Sequence, residues 1–449
     1  MNSGRFDKLT GRIRPGTYIN VDSNTQPGIQ FATRGSALIP LVNSWGPNAT
    51  IIKVEATAIS AHDAELGDSV YNILLLAEAI KGAGTLLVYN INKGTKSTVT
   101  KTIQEATEEA AASVLTITAK YGGTRGNDLK VSSTANPEGG YDLKVILDTT
   151  TVEEYTGVAD IEAAASLESA YVLFAGSGSL GEFAALSLAG GTAGEVTNAD
   201  ISAMLDAVED EPVSCICFPF TDATLKAVAV SKVRYLRDNC GKSIQVVLSD
   251  YPQADYEGVI NVTNSYARSD GVALTHAQAT AYVAAITAAA TETVSNTYKV
   301  VADADTVVDK KTNEEAEAAI LAGEFFFTQE QERVIVEYDI NSLHTFTKTR
   351  SKSYRKNKVL RVYDALSDTL RLTFPPNRFT NDETGWNLMD GLCQTILQYY
   401  LDESAIKNVD IANDLKVNRG ECEGDSVYFD ARIHAVDAAE KLYFTVITD

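Results

Sequence analysis

Gly176-Ser-Gly-Ser-Leu-Gly181 has the G-x-G-x-x-G spacing of a loop that wraps a pyrophosphate, and it follows an apolar stretch, YVLFA. That chemistry needs a strand before the loop and a helix after it, whose first N–H groups meet the phosphate. Here the chain reaches Gly190-Gly191 after barely a helix's length, and the preceding region is rich in Thr, Ser and Val. A glycine turn is the favoured reading, and a nicotinamide-dependent enzyme built on Gly176–Gly181 is the catalytic alternative.

The remaining chemistry-bearing residues are scattered. His62, His276, His344 and His434 have no second ligand at metal spacing. Cys215-x-Cys217 falls on an apolar stretch, VSCICF, where alternate residues share a strand face, so both thiols are expected in a core as small apolar groups. The five cysteines are odd in number and widely spread, which predicts reduced thiols rather than a disulfide framework. A G-x-S-x-G elbow, a phosphate loop ending in Gly-Lys-Ser/Thr and an H-E-x-x-H pair are all missing from the chain. Glu314, Glu315 and Glu317 have the spacing of a solvated helix face. The expectation is a protein without a catalytic, cofactor or metal site.

One segment concentrates charge. Between Asn341 and Arg361 stand Lys348, Arg350, Lys352, Arg355, Lys356, Lys358 and Arg361, with no acidic residue among them. The whole chain carries a formal charge of −22 (38 basic against 60 acidic residues), so the rest of it carries −22 − 7 = −29. Such an acidic chain repels nucleic acid and anionic membranes. Cations near a helix start oppose the helix dipole, so an anionic partner surface is the reason considered for keeping them there.

The elements around these residues change character along the 449 residues, a length that suggests about three domains. Residues 1–24 are polar and glycine-rich, with a short alternation at Tyr18, Ile19 and Val21, and read as an extended arm. No apolar run follows the first basic residues, so no secretory signal is expected, and no apolar stretch is long enough to span a bilayer. Residues 25–92 predict a strand in 35–47, a helix over 69–80 and a buried strand at 85–91. Residues 93–190 read as a β-rich insertion with a helical piece near 160–170.

Residues 191–340 alternate in the α/β manner. A helix capped at Thr197 or Asn198 precedes the strand 213–218, and Asp222 caps a helix bearing Leu225, Ala229, Val233 and Leu236. Continuous apolar strands at 243–249 and 258–262 suit a parallel sheet. Thr275 and Gln278 have capping-box spacing for an alanine-rich helix 276–294, and a hairpin is expected over 325–340. Residues 341–449 read as α+β: helices at 353–372 and 384–401, then alternating strands in SVYFDARIHAV and KLYFTVITD.

Several of these stretches resemble one family. VEYDINSLHTF at 336–346, RKNKVLRVYDAL at 355–366 and HAVDAAEKLYFTV at 434–446 are similar to the C-terminal domain of contractile phage tail sheath proteins. The likeness is to sheaths of Gram-positive phages and phage-tail-like bacteriocins. RPGTYINV at 14–21, SWGP at 44–47, AGGTAGE at 189–195, VRYLRDNCGKSIQVVL at 233–248 and DYEGVINVTN at 255–264 extend the match in the family's order. TFPPNRFTNDETGWN at 373–387 departs from the family's usual residues.

The resemblance implies a non-catalytic, subtilisin-like α/β middle domain, the β-rich insertion and an α+β C-terminal polymerisation domain with exchanged terminal strands. It implies a subunit of a virion or bacteriocin tail, made in the host cytoplasm. The partners would be further copies of itself in hexameric rings, an inner tail tube, and baseplate and tail-terminator proteins, with no nucleic acid and no membrane. The domain facing the tube makes Lys348, Arg350, Lys352, Arg355, Lys356 and Lys358 the expected tube contacts, while Arg361 could pair internally. Strand exchange would fall on Arg14, Tyr18, Ile19 and Val21 and on Leu442, Phe444 and Val446. A non-contractile surface protein is the further alternative.

Overall fold

The computed structural model of the chain describes residues 29–31, 34–108 and 111–447. These fall into two bodies. The larger takes in most of 34–364 together with Glu403–Lys407 and 434–447, and the smaller is built mainly from Ala365–Asp402 and Asn408–Ile433.

In the larger body the first strands are β1 (Ser36–Val42), β2 (Thr50–Glu55) and β3 (Thr85–Ile91). The insertion supplies β4 (Thr98–Gln104), β5 (Ser113–Ala119), β6 (Leu129–Ala135), β7 (Tyr141–Leu147), β8 (Thr150–Val158), β9 (Val172–Ser177) and β10 (Phe183–Ser187). After it come β11 (Cys215–Cys217), β12 (Gln245–Ser249), β13 (Val259–Val262), β14 (Ser265–Arg268), β15 (Ala304–Val308), β16 (Glu324–Phe325), β17 (Phe327–Glu330) and β18 (Arg333–Val336).

The main sheet runs β16-β13-β12-β11-β1-β3-β2, parallel throughout except for β2 at the edge. Alternation along each strand sorts the side chains into two cores. Leu38, Leu87, Ile216, Val246 and Leu248 meet the helices Asn198–Ala207 and Ala223–Asp238 on one face. Ile39, Val88, Cys215, Cys217 and Val247 meet His276–Ala289 on the other. Both thiols thus share one face, as the strand reading requires. Burial pushes the Cys215 thiol far up and the Cys217 thiol to about 12, so neither is a nucleophile at neutral pH.

Helix starts follow the capping residues. Asp222 accepts the Leu225 N–H at 2.9 Å, and Thr275 and Gln278 form the reciprocal box. Ends deviate from the periodicity. The alanine-rich helix stops at Ala289, not 294: Ala290 turns extended, and the Asn296 amide takes the Ile286 carbonyl at 3.2 Å. The helix expected over 69–80 narrows to Leu74–Ala79, because the Asp68 carboxylate holds the Ser69 N–H (2.7 Å) and the Asn72 amide (2.7 Å) in a turn.

The insertion is a β-sandwich. One sheet runs β10-β6-β7-β8 and the other β4-β5-β9, all antiparallel, around Leu115, Ile117, Val131, Leu143, Val145 and Phe174. In the smaller body the helix Glu383–Asp402 packs on a two-stranded sheet of β19 (Leu415–Val417) and β20 (Phe429–Ala431). The strand expected over SVYFDARIHAV shrinks to those three exposed residues of β20, since only β19 offers it hydrogen-bond partners here.

Candidate functional site

The glycine loop ends β9 inside the sandwich, and the chain continues into β10, so no helix follows it; the start of the short helix Ile161–Ala165 meets the loop, but its Ile161 N–H is already given to the Gly178 carbonyl at 3.0 Å. Glu162 already accepts the Gly178 N–H (3.1 and 3.2 Å), placing a carboxylate where a pyrophosphate would need that donor. Gly176 and Gly178 have φ +135° and +103°, and a Cβ there would meet Val114 O at 2.0 Å and Ser113 Oγ at 2.4 Å. The glycines serve a tight strand end. Among the described residues no group of three His, Cys, Asp or Glu is placed to hold a metal ion, and no helix is long and apolar enough to cross a membrane.

The basic segment is a loop that leaves the core at Ile340 and returns at Lys356, where the two residues form a bridge. The Asn341 N–H donates to the Arg355 carbonyl at 2.9 Å, and the Asn357 N–H to the Asp339 carbonyl at 3.1 Å. This pairing delays the helix expected at 353: Lys352–Arg355 forms a 3₁₀ turn, and the helix runs Asn357–Thr373. The loop's first strut is buried, with the Ser342 N–H on the Val259 carbonyl and the Asp255 carboxylate accepting the His344 and Thr345 N–H groups.

Of the expected tube contacts, Lys348 and Lys352 stand exposed. Arg350 is drawn back to the core, its Nε 2.5 Å from the buried Glu257 and its Nη2 3.2 Å from Asp238. Lys356 is largely covered: its Nζ grips Glu440, lies 3.7 Å from Asp437 and sits 4.1 Å above the Tyr338 ring. Burial lowers its proton affinity despite those carboxylates. Arg355 and Lys358 are buried at 6% and 9% exposure.

The segment is therefore not one continuous solvated patch. Lys358 and Arg361, three residues apart, share the inward side of the helix with Val359 and Val362. Arg361 is fully buried against Asp339 at 2.8 Å and donates to the Val294 carbonyl. For Asp339, burial raises proton affinity, but the Arg361 guanidinium, the Asn296 N–H and the Asn357 amide outweigh it and hold the carboxyl below its usual range.

Arg14, Tyr18, Ile19 and Val21 lie outside the described residues. At the other end, residues 434–440 are tied down: the Lys407 N–H donates to the His434 carbonyl, the Val436 N–H to the Ala405 carbonyl, and Glu440 takes the Thr297 hydroxyl at 2.6 Å besides Lys356. Beyond this root no strand forms. Leu442, Phe444 and Val446 are 68%, 83% and 84% exposed, as are Tyr443 and Ile447. Among the described residues no sheet edge receives 441–447, so the terminal strand expected from KLYFTVITD does not form there. Sequence reasoning missed Glu440 and Asp437 as the anchors of this segment. The signal was a pair of acidic residues beside the alternating run, matched to a distant cationic stretch.

Comparisons with known proteins agree with this architecture. In chain order, residues 92–195 match the phage tail sheath protein beta-sandwich domain, 194–342 the phage tail sheath protein central domain, and 349–448 the phage tail sheath C-terminal domain. The chain belongs to the phage tail sheath family. It is 31% identical to the phage-like element PBSX protein XkdK of Bacillus subtilis over 99% of both chains. It is 38% identical to the sheath tail protein from Desulfitobacterium hafniense, whose crystal structure superposes with a TM-score of 0.83 over 96% of this chain and 99% of that one. The helical sheath of the anti-feeding prophage in its contracted state shares the fold (TM-score 0.56, 12% identity, 97% of this chain and 99% of that one).

Proposed function

We propose that the chain is the repeating subunit of a contractile tail sheath, polymerising as stacked hexameric rings around an inner tube. It assembles in a metastable extended state and contracts to drive the tube through a cell envelope. The observation that carries this reading is the in-order match of three sheath domains, joined to an apolar C-terminal segment, 441–447, that is anchored at its root and unpaired beyond it. An exposed run of alternating apolar residues is a strand in need of a sheet. In this reading Leu442, Phe444 and Val446 pair in a neighbouring copy, and Arg14, Tyr18, Ile19 and Val21 do the same from the N-terminal side.

The central region, 191–340, acts as a subtilisin-like but non-catalytic scaffold. The protruding loop tip, with Lys348 and Lys352, faces the tube, and Arg350 braces it. Residues 1–24 form the arm, 25–92 the first part of the core, 93–190 the insertion and 341–449 the polymerising domain. Baseplate and tail-terminator proteins cap the polymer at its ends. Contraction draws its energy from differences in subunit contact between the two packings. Negative-stain microscopy of the purified chain tests the reading: tubes and rings are expected, whereas a monodisperse particle at every concentration would favour a non-assembling surface protein.

A further inference from the structure

The loop 373–387, whose residues depart from the family's usual ones, is built onto the two-stranded sheet of the smaller body. The Asn381 amide donates to the Gly424 carbonyl at 2.9 Å and to the Ser426 carbonyl at 3.3 Å, just ahead of β20. The Trp386 indole N–H in turn donates to the Asn381 side-chain oxygen at 2.7 Å. Phe374 then stands between two rings, its centroid 5.5 Å from that of Phe379 and 5.3 Å from that of Phe429. Phe429 remains 36% exposed, and Phe374 and Phe379 are only half-buried. Among the described residues β20 is paired on one side alone. The Tyr428 carbonyl and the Arg432 N–H serve the β19 side, so by alternation the backbone groups of Phe429 and Ala431 point to the open side. A strand edge without a mate thus lies beside rings without a cover.

We propose that Phe374, Phe379 and Phe429 are the seat for segment 441–447 of a second copy of this chain, which adds to the open side of β20. Complementarity within the chain names the occupant. Leu442, Phe444 and Val446 alternate with Tyr443 and Ile447, so the segment is apolar on both faces. A bare sheet edge would pair its backbone and cover neither face. Rings beside the edge cover one of them, and aromatic neighbours across strands pair favourably. Neither the three rings nor residues 442–447 carry a charge, so this contact adds no like-charge repulsion between copies of net charge −22. A single added strand covers far less than the roughly 800 Å² per partner that a stable dimer needs, so the contact belongs to a polymer held at other points too. The inference rests on the strand exchange of the sheath reading; it adds the receiving edge and gives the loop 373–387 its role.

Amide hydrogen exchange of the full-length chain, read by mass spectrometry before and after assembly, tests it. Exchange in 426–433 and in 441–447 should slow together on assembly, by roughly ten-fold or more. Slowing in only one of the two stretches would overturn the seat while leaving the sheath reading standing. Wild-type chain that assembles at no concentration would instead sink the sheath reading. Phe429→Thr keeps a strand-forming residue at the exposed position and removes the ring. Its threshold concentration for assembly, read by sedimentation, should rise roughly ten-fold, as for loss of an aromatic anchor. An unchanged threshold would overturn the proposal as well. Should that variant fail to fold, the exchange pattern of the wild-type chain decides.

Discussion

At the scale of single residues, the loop 341–356 and the helix that follows divide one cationic run into three tasks. Lys348 and Lys352 reach solvent, Arg350 and Lys356 clamp the loop and the C-terminal root, and Arg361 neutralises a buried aspartate. Only the first pair is free to meet a tube. On the proposed sheath function, rim ion pairs of about 0–1 kcal/mol each would suit a tube contact that lets go during contraction. Lys348→Glu/Lys352→Glu is therefore expected to leave folding unchanged by circular dichroism, yet to give particles with naked tubes or empty sheaths in micrographs. Normal sheathed particles would remove the tube role from this loop.

The buried pair behaves differently. Asp339→Ala leaves Arg361 without its carboxylate and should cost about 3–5 kcal/mol in denaturant unfolding. Since the Asp339 carboxyl is held below its ordinary value, its contribution is fully present above the usual carboxylate pKa of about 3.9 and is lost as pH falls through the folded value. Wild-type stability should thus decline below about pH 4 with a component that Asp339→Ala lacks. Equal acid sensitivity of the two chains would argue against it.

Elements were legible wherever local chemistry set them. The capped helices, the apolar strands of the main sheet and the alternating strands of the sandwich fall where periodicity and caps put them, because each buries a face within its own body. The misreadings share a cause in partners supplied from elsewhere. Helix Asn357–Thr373 starts late because Asp339 and Asn341 recruit the backbone of Arg355 and Asn357. The hairpin over 325–340 hid a division of labour: β16 joins the parallel sheet beside β13, and the hairpin proper begins at Phe327.

Over 441–447 the expected terminal strand does not form among the described residues, since alternation foretells pairing but not where the mate comes from. The burial of Arg355, Lys358 and Arg361 was not legible because charge counts cannot tell a snorkelling lysine from a buried one. Deleting residues 441–449 should leave a cooperatively melting chain, as none of Leu442–Ile447 contributes to a described core, while abolishing sheath formation in sedimentation. Loss of the cooperative transition would mean that the segment belongs to this chain's own fold.

For the whole molecule, acidity and architecture act together. A chain of net charge −22 resists nonspecific collapse onto copies of itself, so the proposed assembly has to be directed by a built contact, for which the exposed apolar segment 441–447 at its fixed root is the candidate. The sandwich, central and C-terminal regions match sheath domains in order, and the same overall fold recurs in a sheath solved in its contracted state. Electron cryomicroscopy of the assembled full-length chain tests the account most directly. The prediction is a helical stack of six-subunit rings in which residues 441–447 add a strand to a neighbouring copy's sheet. Rings or tubes in which that segment folds back onto its own chain, or no polymer at all, would contradict it.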